Sequence, residues 1–305
     1  MCIRDRKKAP LYAALVGKGS LDHRNVQNKG GNLLPVLMVN TPYGMYACDS
    51  CYGDLDSDGA SEIAIGRIPV LSAAELIGDD GNGGYVAKLA NYEAGVSPYA
   101  SDLLFSADNP DVAGDFNIDS DNLASLIPGE YNVAKAYIVS DPNTPPKIGT
   151  PASVADVRSA LLSAFGTKGL VNWVGHGSYP SIADEKVMLI GDVGGMNNAD
   201  DLPLFAALTC SAGRFEVPGD QAISEALLLR EGGGAIAAYS PTGLSINDDA
   251  VELNEGLLKS LYQDGQMRIG DAAIDTQQYY KAQSNPARFM LEIYGVMGDP
   301  ATVLQ

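Results

Sequence analysis

Several residue types are scarce in this sequence, and each scarcity excludes something. The 305 residues include two histidines, four cysteines and one tryptophan, and 20 basic side chains stand against 38 acidic ones. The resulting formal charge of −18 argues against sequence-independent attraction to nucleic acid or to an anionic membrane. No apolar run reaches the roughly 20 residues of a membrane span, and no signal peptide is visible. The acidity suits solubility, calcium and cationic substrates, and nothing in the sequence indicates an oligomeric state.

The cysteines are too few and too unevenly spaced for a disulfide framework. Cys2 lies in an opening segment that joins no later pattern, and residues 1–8 are interpreted as an artefact or a disordered start. Cys48 and Cys51 have the CxxC spacing of some zinc and redox sites, but neither a second pair nor a helix start accompanies them. We therefore expect two ordinary buried or half-buried thiols.

The pattern of apolar residues is typical of an α/β protein. Short apolar runs, the expected strands, alternate with helical patterns of about 10–15 residues, which predicts right-handed crossovers. The predicted fold is a mainly parallel sheet flanked by helices on both faces. A linker at residues 95–98 suggests two subdomains, an N-terminal α/β unit at 9–100 and a larger C-terminal unit at 101–305.

Two apolar runs end abruptly at chemically capable residues beside glycine. Residues 170–174 run into Gly175, His176 and Gly177, and residues 204–208 run into Thr209 and Cys210. Parallel strands deliver side chains into a cleft at their carboxyl ends, so a base and a nucleophile can meet there. A cysteine at the end of an apolar strand is, however, often only small and buried, and the residues alone leave both interpretations open. His23 lies in a polar loop, where a surface role is expected.

Alternating aspartates form a second candidate site. Asp54, Asp56 and Asp58 are followed by Gly59, an arrangement that turns several carboxylates inward as Ca²⁺ requires. The segment is not an EF-hand, because position 12 of the loop is Ile65 and a strand pattern follows. The alternative is a solvated acidic turn.

The order of motifs along nearly the whole chain, from about residue 9, resembles the gingipain-type cysteine peptidases, peptidase family C25. In the second half the matching segments are residues 171–178, 202–203, 209–210, 213–215, 224–226, 233–237, 241–243 and 298–300. In the first half they are residues 12–20, 41–44, 54–59, 65–69 and 108–110.

The resemblance implies a caspase-like fold whose C-terminal subdomain is catalytic. It makes His176 the general base and Cys210 the nucleophile, with the backbone N–H groups of Gly177 and Cys210 forming the oxyanion hole. An acidic residue near the histidine is expected, and by position the candidates are Asp119 and Asp121. The family also binds calcium, which favours the site at Asp54, and it uses no cofactor for catalysis.

One departure concerns the substrate pocket. Arginine-specific gingipains wall their primary pocket with a tryptophan, but the corresponding loop here consists of Ser240, Pro241, Thr242 and Gly243. The single tryptophan, Trp173, falls within a predicted strand. The preference for arginine or lysine therefore does not carry over, although the acidic charge favours a basic substrate.

These expectations together describe a cysteine endopeptidase of peptides or proteins, acting through a thioester acyl-enzyme. Because the resemblance is to the catalytic region of larger proteins, a secreted or cell-surface location is expected. Two alternatives stay open: a sortase-like transpeptidase of the same family, and a catalytically silent module stabilised by calcium.

Overall fold

The structure is a computed structural model that describes residues 10–139 and 151–305. The predicted artefact at residues 1–8 lies outside the described residues. The strands are β1 Tyr12–Val16, β2 Met38–Thr41, β3 Gly44–Ala47, β4 Ala64–Ile68, β5 Asp102–Ala107, β6 Asn132–Ile138, β7 Pro151–Ala152, β8 Leu170–Val174, β9 Ser181–Ile182, β10 Met188–Leu189, β11 Leu204–Leu208, β12 Ala237–Pro241 and β13 Tyr294–Met297. The helices are α1 Ala73–Ile77, α2 Gly84–Ala94, α3 Phe116–Ala124, α4 Val154–Ala164, α5 Ile190–Val193, α6 Ile223–Leu229, α7 Asn247–Leu258, α8 Ile269–Lys281 and α9 Arg288–Ile293.

Within the described residues, nine strands form one sheet in the order β1-β4-β13-β12-β11-β8-β5-β6-β7. Neighbouring strands are parallel except for β12 and β13, which are antiparallel. The predicted mainly parallel sheet is therefore confirmed. The sequence pattern before Gly298 predicts a helical stretch, but α9 ends at Ile293 and β13 follows, because that segment completes the sheet between β4 and β12.

Helices cover both faces of the sheet, as predicted. Along β11, Leu204, Ala206 and Leu208 join a core cluster with residues of α3, α7 and α8. The intervening Phe205 and Ala207 join a second cluster with α4 and α6 on the other face. All five residues of β11 are buried, which explains why this strand is continuously apolar and not alternating.

Local signals in the sequence account for several element boundaries. The helical pattern after Ser153 predicts an N-cap there, and Ser153 accepts a hydrogen bond from the Asp156 backbone N–H at 3.2 Å and caps α4. The glycine-rich run at 78–84 predicts a break between a short helix and a longer one, and residues 78–83 separate α1 from α2. The boundary proposed near residue 100 stays a prediction, and β13 from the second unit pairs directly with β4 from the first.

Candidate active site

The sheet brings His176 and Cys210 to one edge. Strands β8 and β11 are parallel neighbours, with Val174 opposite Leu208, so the chain leaves both strands at the same level. His176 and Cys210 both line a small cleft of about 70 Å³. The cleft is completed by Ala113, Phe116, Gly175, Leu208, Thr209, Ser245, Asn247 and Ala250. Adjacent parallel strands thus deliver the two predicted residues into one cleft.

The backbone before His176 is fixed by a glycine and a buried carboxylate. Gly175 has a φ of +149°, and a Cβ at this position would lie 2.3 Å from the Cβ of Asp108. The His176 backbone N–H donates to Asp108 Oδ2 at 3.0 Å. On the other side, the buried Trp173 donates its indole N–H to the His176 carbonyl at 3.1 Å. The peptide units around His176 are therefore held from both sides.

The imidazole of His176 contacts Asp111, which lies in the loop after β5. His176 Nε2 lies 2.8 Å from Asp111 Oδ2, and the ring packs edge-on against Phe116 with centroids 5.3 Å apart. Burial opposes ionisation of Asp111, but hydrogen bonds from His176 and the backbone outweigh it, so its pKa lies below the ordinary value. Burial likewise opposes protonation of His176, and the contact with Asp111 outweighs it and raises the histidine pKa.

An ionised carboxylate accepts hydrogen bonds and donates none. The proton of neutral His176 therefore belongs on Nε2, facing Asp111, and Nδ1 keeps its lone pair. The arrangement leaves Nδ1 as the basic nitrogen of the ring.

The two acids expected beside the histidine bind other partners. Asp119 Oδ2 accepts a hydrogen bond from the Asn247 side-chain amide at 2.8 Å, and Asp121 pairs with Lys135. The acid in contact with the ring is Asp111, so this detail differs from the expectation. The helix α3 begins at Phe116 and contains Asp119 and Asp121, whereas Asp111 lies in the loop ahead of it. Asp111 follows a strand that neighbours β8, but Asp108 follows the same strand more closely, so the sequence alone does not single out Asp111.

Cys210 lies at a sharp turn after β11. Ser211 has a left-handed φ of +54° and donates its backbone N–H to the Gly243 carbonyl at 2.9 Å. The backbone N–H of Ser245 lies 3.4 Å from Cys210 Sγ, and the Ser245 carbonyl lies 3.8 Å from it. Burial raises the pKa of the Cys210 thiol, and the contacts with Ser245 partly oppose that shift.

Close packing at Gly177 explains why this position is a glycine. A Cβ on Gly177 would lie 2.3 Å from Thr209 Oγ1. Among the described residues, the backbone N–H groups of Gly177 and Cys210 donate to no protein acceptor. Within that part of the chain, both donors are therefore left for an oxygen atom from outside the protein.

The four residues predicted to form the substrate pocket are buried and do not line the cleft. Ser240 and Pro241 belong to the end of β12, and Thr242 Oγ1 donates to the Ala47 carbonyl at 2.6 Å. A Cβ on Gly243 would lie 2.6 Å from the ring of Tyr46. The residues from this loop that line the cleft are Ser245 and Asn247, a few positions later.

The acidic turn gathers one more carboxylate than predicted. Oxygen atoms of Asp54, Asp56, Asp58 and Glu62 lie within 4.8 Å of one another. Two basic side chains approach the same cluster: Lys281 pairs with Asp58, and Arg288 Nη2 lies 3.8 Å from Asp54 Oδ2. The carboxylate set fits an oxygen-seeking cation.

The expectation of two free thiols at Cys48 and Cys51 is wrong, because these residues form a disulfide with a Cα–Cα distance of 5.4 Å. The turn of 3₁₀-helix at Ser50–Tyr52 brings the two cysteines within bonding distance. Between them, Asp49 makes two 2.6 Å contacts with the guanidinium of the buried Arg67. His23 lies exposed on the surface, as predicted.

The mainly parallel sheet with helices on both faces is a caspase-like fold. The sequence model of Peptidase family C25 matches residues 2–305, which defines the class of this protein as a cysteine-type peptidase. Since that match extends over nearly the entire sequence, the chain belongs to peptidase family C25 and is a hydrolase. A comparison with curated proteins finds no match.

Solved structures support the fold. The complex of the pro- and mature domains of RgpB from Porphyromonas gingivalis superimposes with a TM-score of 0.73 at 18% identity, covering 99% of this chain and 67% of that one. A crystal structure of the Arg-specific cysteine proteinase gingipain R gives a TM-score of 0.72, also at 18% identity, over 99% and 66% of the two chains. The chain thus spans about two thirds of the length of these structures. No helix among the described residues is long and apolar enough to cross a membrane.

Proposed function

We propose that this protein is a cysteine endopeptidase in which Cys210 is the nucleophile and His176 the general base. The observation that carries the proposal is the pairing of β8 with β11, which brings both side chains into one cleft. Neither residue is unusual alone, since single cysteines and histidines at strand ends are common. Their shared cleft in a member of peptidase family C25 favours the catalytic role.

The reaction has two stages. His176 Nδ1 accepts the Cys210 proton, and the thiolate attacks the peptide carbonyl to form a tetrahedral intermediate. The N–H groups of Gly177 and Cys210 donate to its oxyanion. The C–N bond then breaks as the imidazolium returns its proton to the leaving amine, which leaves a thioester on Cys210. Water, deprotonated by His176, hydrolyses the thioester and releases the carboxylic acid and the thiol.

Asp111 orients the histidine in this proposal, in place of Asp119 and Asp121. Its 2.8 Å contact with Nε2 fixes the tautomer that leaves Nδ1 basic, and its negative charge stabilises the imidazolium formed in each stage.

The substrate in this proposal is a peptide or protein bound at the cleft. The formal charge of −18 favours a basic segment of substrate. Ser240, Pro241, Thr242 and Gly243 support the pocket from behind, while Ser245 and Asn247 contact the bound side chain.

A structural Ca²⁺ at Asp54, Asp56, Asp58 and Glu62 is part of the same proposal. The convergence of four carboxylate side chains supports it, and the ion would stabilise the turn without taking part in the reaction. Asp56→Asn should reduce the gain in melting temperature produced by calcium, whereas Asp79→Asn, in an exposed loop, should leave that gain unchanged. A melting temperature indifferent to calcium in the wild-type protein would remove this part of the proposal.

A secreted or cell-surface location is also proposed. The Cys48–Cys51 disulfide supports it, because disulfides persist mainly in oxidising compartments.

The proposal is tested with peptidyl acyloxymethyl ketones that differ at P1, the residue before the scissile bond. Wild-type protein should be labelled on Cys210, Cys210→Ala should not, and Cys2→Ser should behave as wild type. Labelling that survives in Cys210→Ala would refute the mechanism, and an unlabelled wild-type protein would favour the silent module. An added amine that captures the acyl group in preference to water would identify the transpeptidase.

A further inference from the structure

The sulfur of Cys210 has a backbone donor supplied by the loop between β12 and α7. The Ser245 N–H lies 3.4 Å from Cys210 Sγ, and no other backbone N–H in the described part of the chain is hydrogen-bonded to this sulfur. Because this contact donates a hydrogen to the sulfur, it stabilises the thiolate form of Cys210 more strongly than the thiol form.

The Ser245 side chain locks this donor in place. Its Oγ donates to the Thr209 carbonyl at 2.9 Å, which ties Ser245 to the residue directly before the nucleophile. The hydroxyl of the fully buried Tyr294, on β13, lies 3.3 Å from both the Thr209 carbonyl and Ser245 Oγ. The Ser211 N–H bonds the Gly243 carbonyl on the other side of Cys210. The loop and the nucleophile turn are thus joined on both sides of Cys210.

A donor of this kind answers a specific need of the site. Cys210 is partly buried, and burial disfavours the charged thiolate that must attack the substrate. His176 offers a base for the proton, but a base alone does not solvate the sulfur anion. An oriented backbone dipole does so with no reorganisation at the moment of reaction.

We infer that Ser245 is a positioning residue that holds its own backbone N–H against the Cys210 sulfur, and that Tyr294 and the Thr209 carbonyl fix it there through its hydroxyl. The inference rests on the proposed function, in which Cys210 is the nucleophile.

The test measures the rate of Cys210 alkylation by iodoacetamide as a function of pH. All variants carry Cys2→Ser, because Cys48 and Cys51 are already oxidised and Cys210 then remains the single free thiol in the chain. The pH at which the alkylation rate is half its maximum reflects the coupled titration of the thiol and the imidazole. The quantity compared is therefore the difference in this midpoint between variants.

Ser245→Ala should raise the alkylation midpoint by about one pH unit, which lowers the thiolate fraction about tenfold on the acidic side. Ser245→Thr, which keeps the hydroxyl, should restore the wild-type midpoint. Tyr294→Phe should shift the midpoint in the same direction by less, and it carries the test if Ser245→Ala fails to fold. Ser163→Ala, on the exposed face of α4, is the matched control and should shift nothing.

The rate at high pH separates positioning from damage. If Ser245 acts on the thiolate, the plateau rate is kept or slightly raised, because a thiol of higher pKa is the stronger nucleophile once ionised. An unchanged midpoint in folded Ser245→Ala, or a lower plateau with no shift, would overturn the inference. Alkylation needs no turnover, so this outcome is independent of the labelling that tests the peptidase function.

Discussion

Replacing Asp111 with asparagine tests the contact that distinguishes this site from the sequence-based expectation. Asp111→Asn keeps the size of the side chain but removes its charge and its preference for a proton on His176 Nε2. A shielded hydrogen bond to a charged group contributes about 1.5–3 kcal/mol. The side chains of Asp111 and His176 are 34% and 37% exposed, so solvent screening lowers that figure. We expect about 1–1.4 kcal/mol, a loss of about five- to tenfold in kcat/KM.

The direction of the pH effect follows from the same contact. Asp111 raises the His176 pKa, so its removal lowers that pKa and moves the acidic limb of the kcat/KM profile to lower pH. The assay is hydrolysis of a fluorogenic peptide from pH 4 to 9, with Asp121→Asn as the control because Asp121 pairs with Lys135. A variant within twofold of wild type, with the limb unmoved, would show that Asp111 does not orient the histidine. A large loss of kcat/KM in Asp121→Asn would indicate instead that Asp121 is the acid that orients His176.

Three further predictions concern stability. Burial raises the pKa of Asp108 to about 6, so its contribution to stability is full below about pH 4 and is lost as the pH rises through 6. In urea titrations, the free energy of unfolding of Asp108→Asn relative to wild type should therefore rise by up to about 3 kcal/mol from pH 4 to pH 7. An equal difference between variant and wild type at both pH values would contradict this. Cys51→Ser should lower the free energy of unfolding by about 2 kcal/mol, and its stability should not depend on reductant. Urea titrations with and without a phosphine measure this, and a wild-type stability that does not fall in the phosphine would contradict it. Gly177→Ala should lower the free energy of unfolding by about 1–3 kcal/mol and remove most of the activity. Adding Thr209→Ala, which removes the clashing hydroxyl, should recover part of the stability and part of the activity. Strictly additive effects in the double-mutant cycle would exclude the clash.

The strands that carry the site were predictable because they are buried on both faces. A continuous apolar run bounded by glycine indicates such a strand directly, and β8 and β11 begin and end where the sequence predicts. The strand β13 was missed, because a short apolar segment directly after a helical pattern has the same composition whether it continues the helix or joins a sheet. The pairing of β13 with β4 and β12 joins segments that are distant in the sequence, so the local pattern does not reveal it.

The disulfide was misjudged, and the contact between Asp111 and His176 was not foreseen, for a related reason. CxxC spacing is compatible with thiols, a metal site or a disulfide, and the local turn at Ser50 decides among them. Five aspartates between residues 108 and 121 are equivalent in sequence, yet the start of α3 leaves one of them against the imidazole.

The sequence by itself determined the fold class and the family and drew attention to His176 and Cys210, because these depend on residue type and order along the chain. Tertiary structure alone decided that β8 and β11 are neighbours, that Asp111 contacts the histidine, that Ser245 contacts the sulfur and that Tyr294 contacts Ser245. Those relations join residues that are 34 to 85 positions apart. Hydrogen bonds over a few ångströms depend on where strands end in space, and local propensity carries no information about that distance.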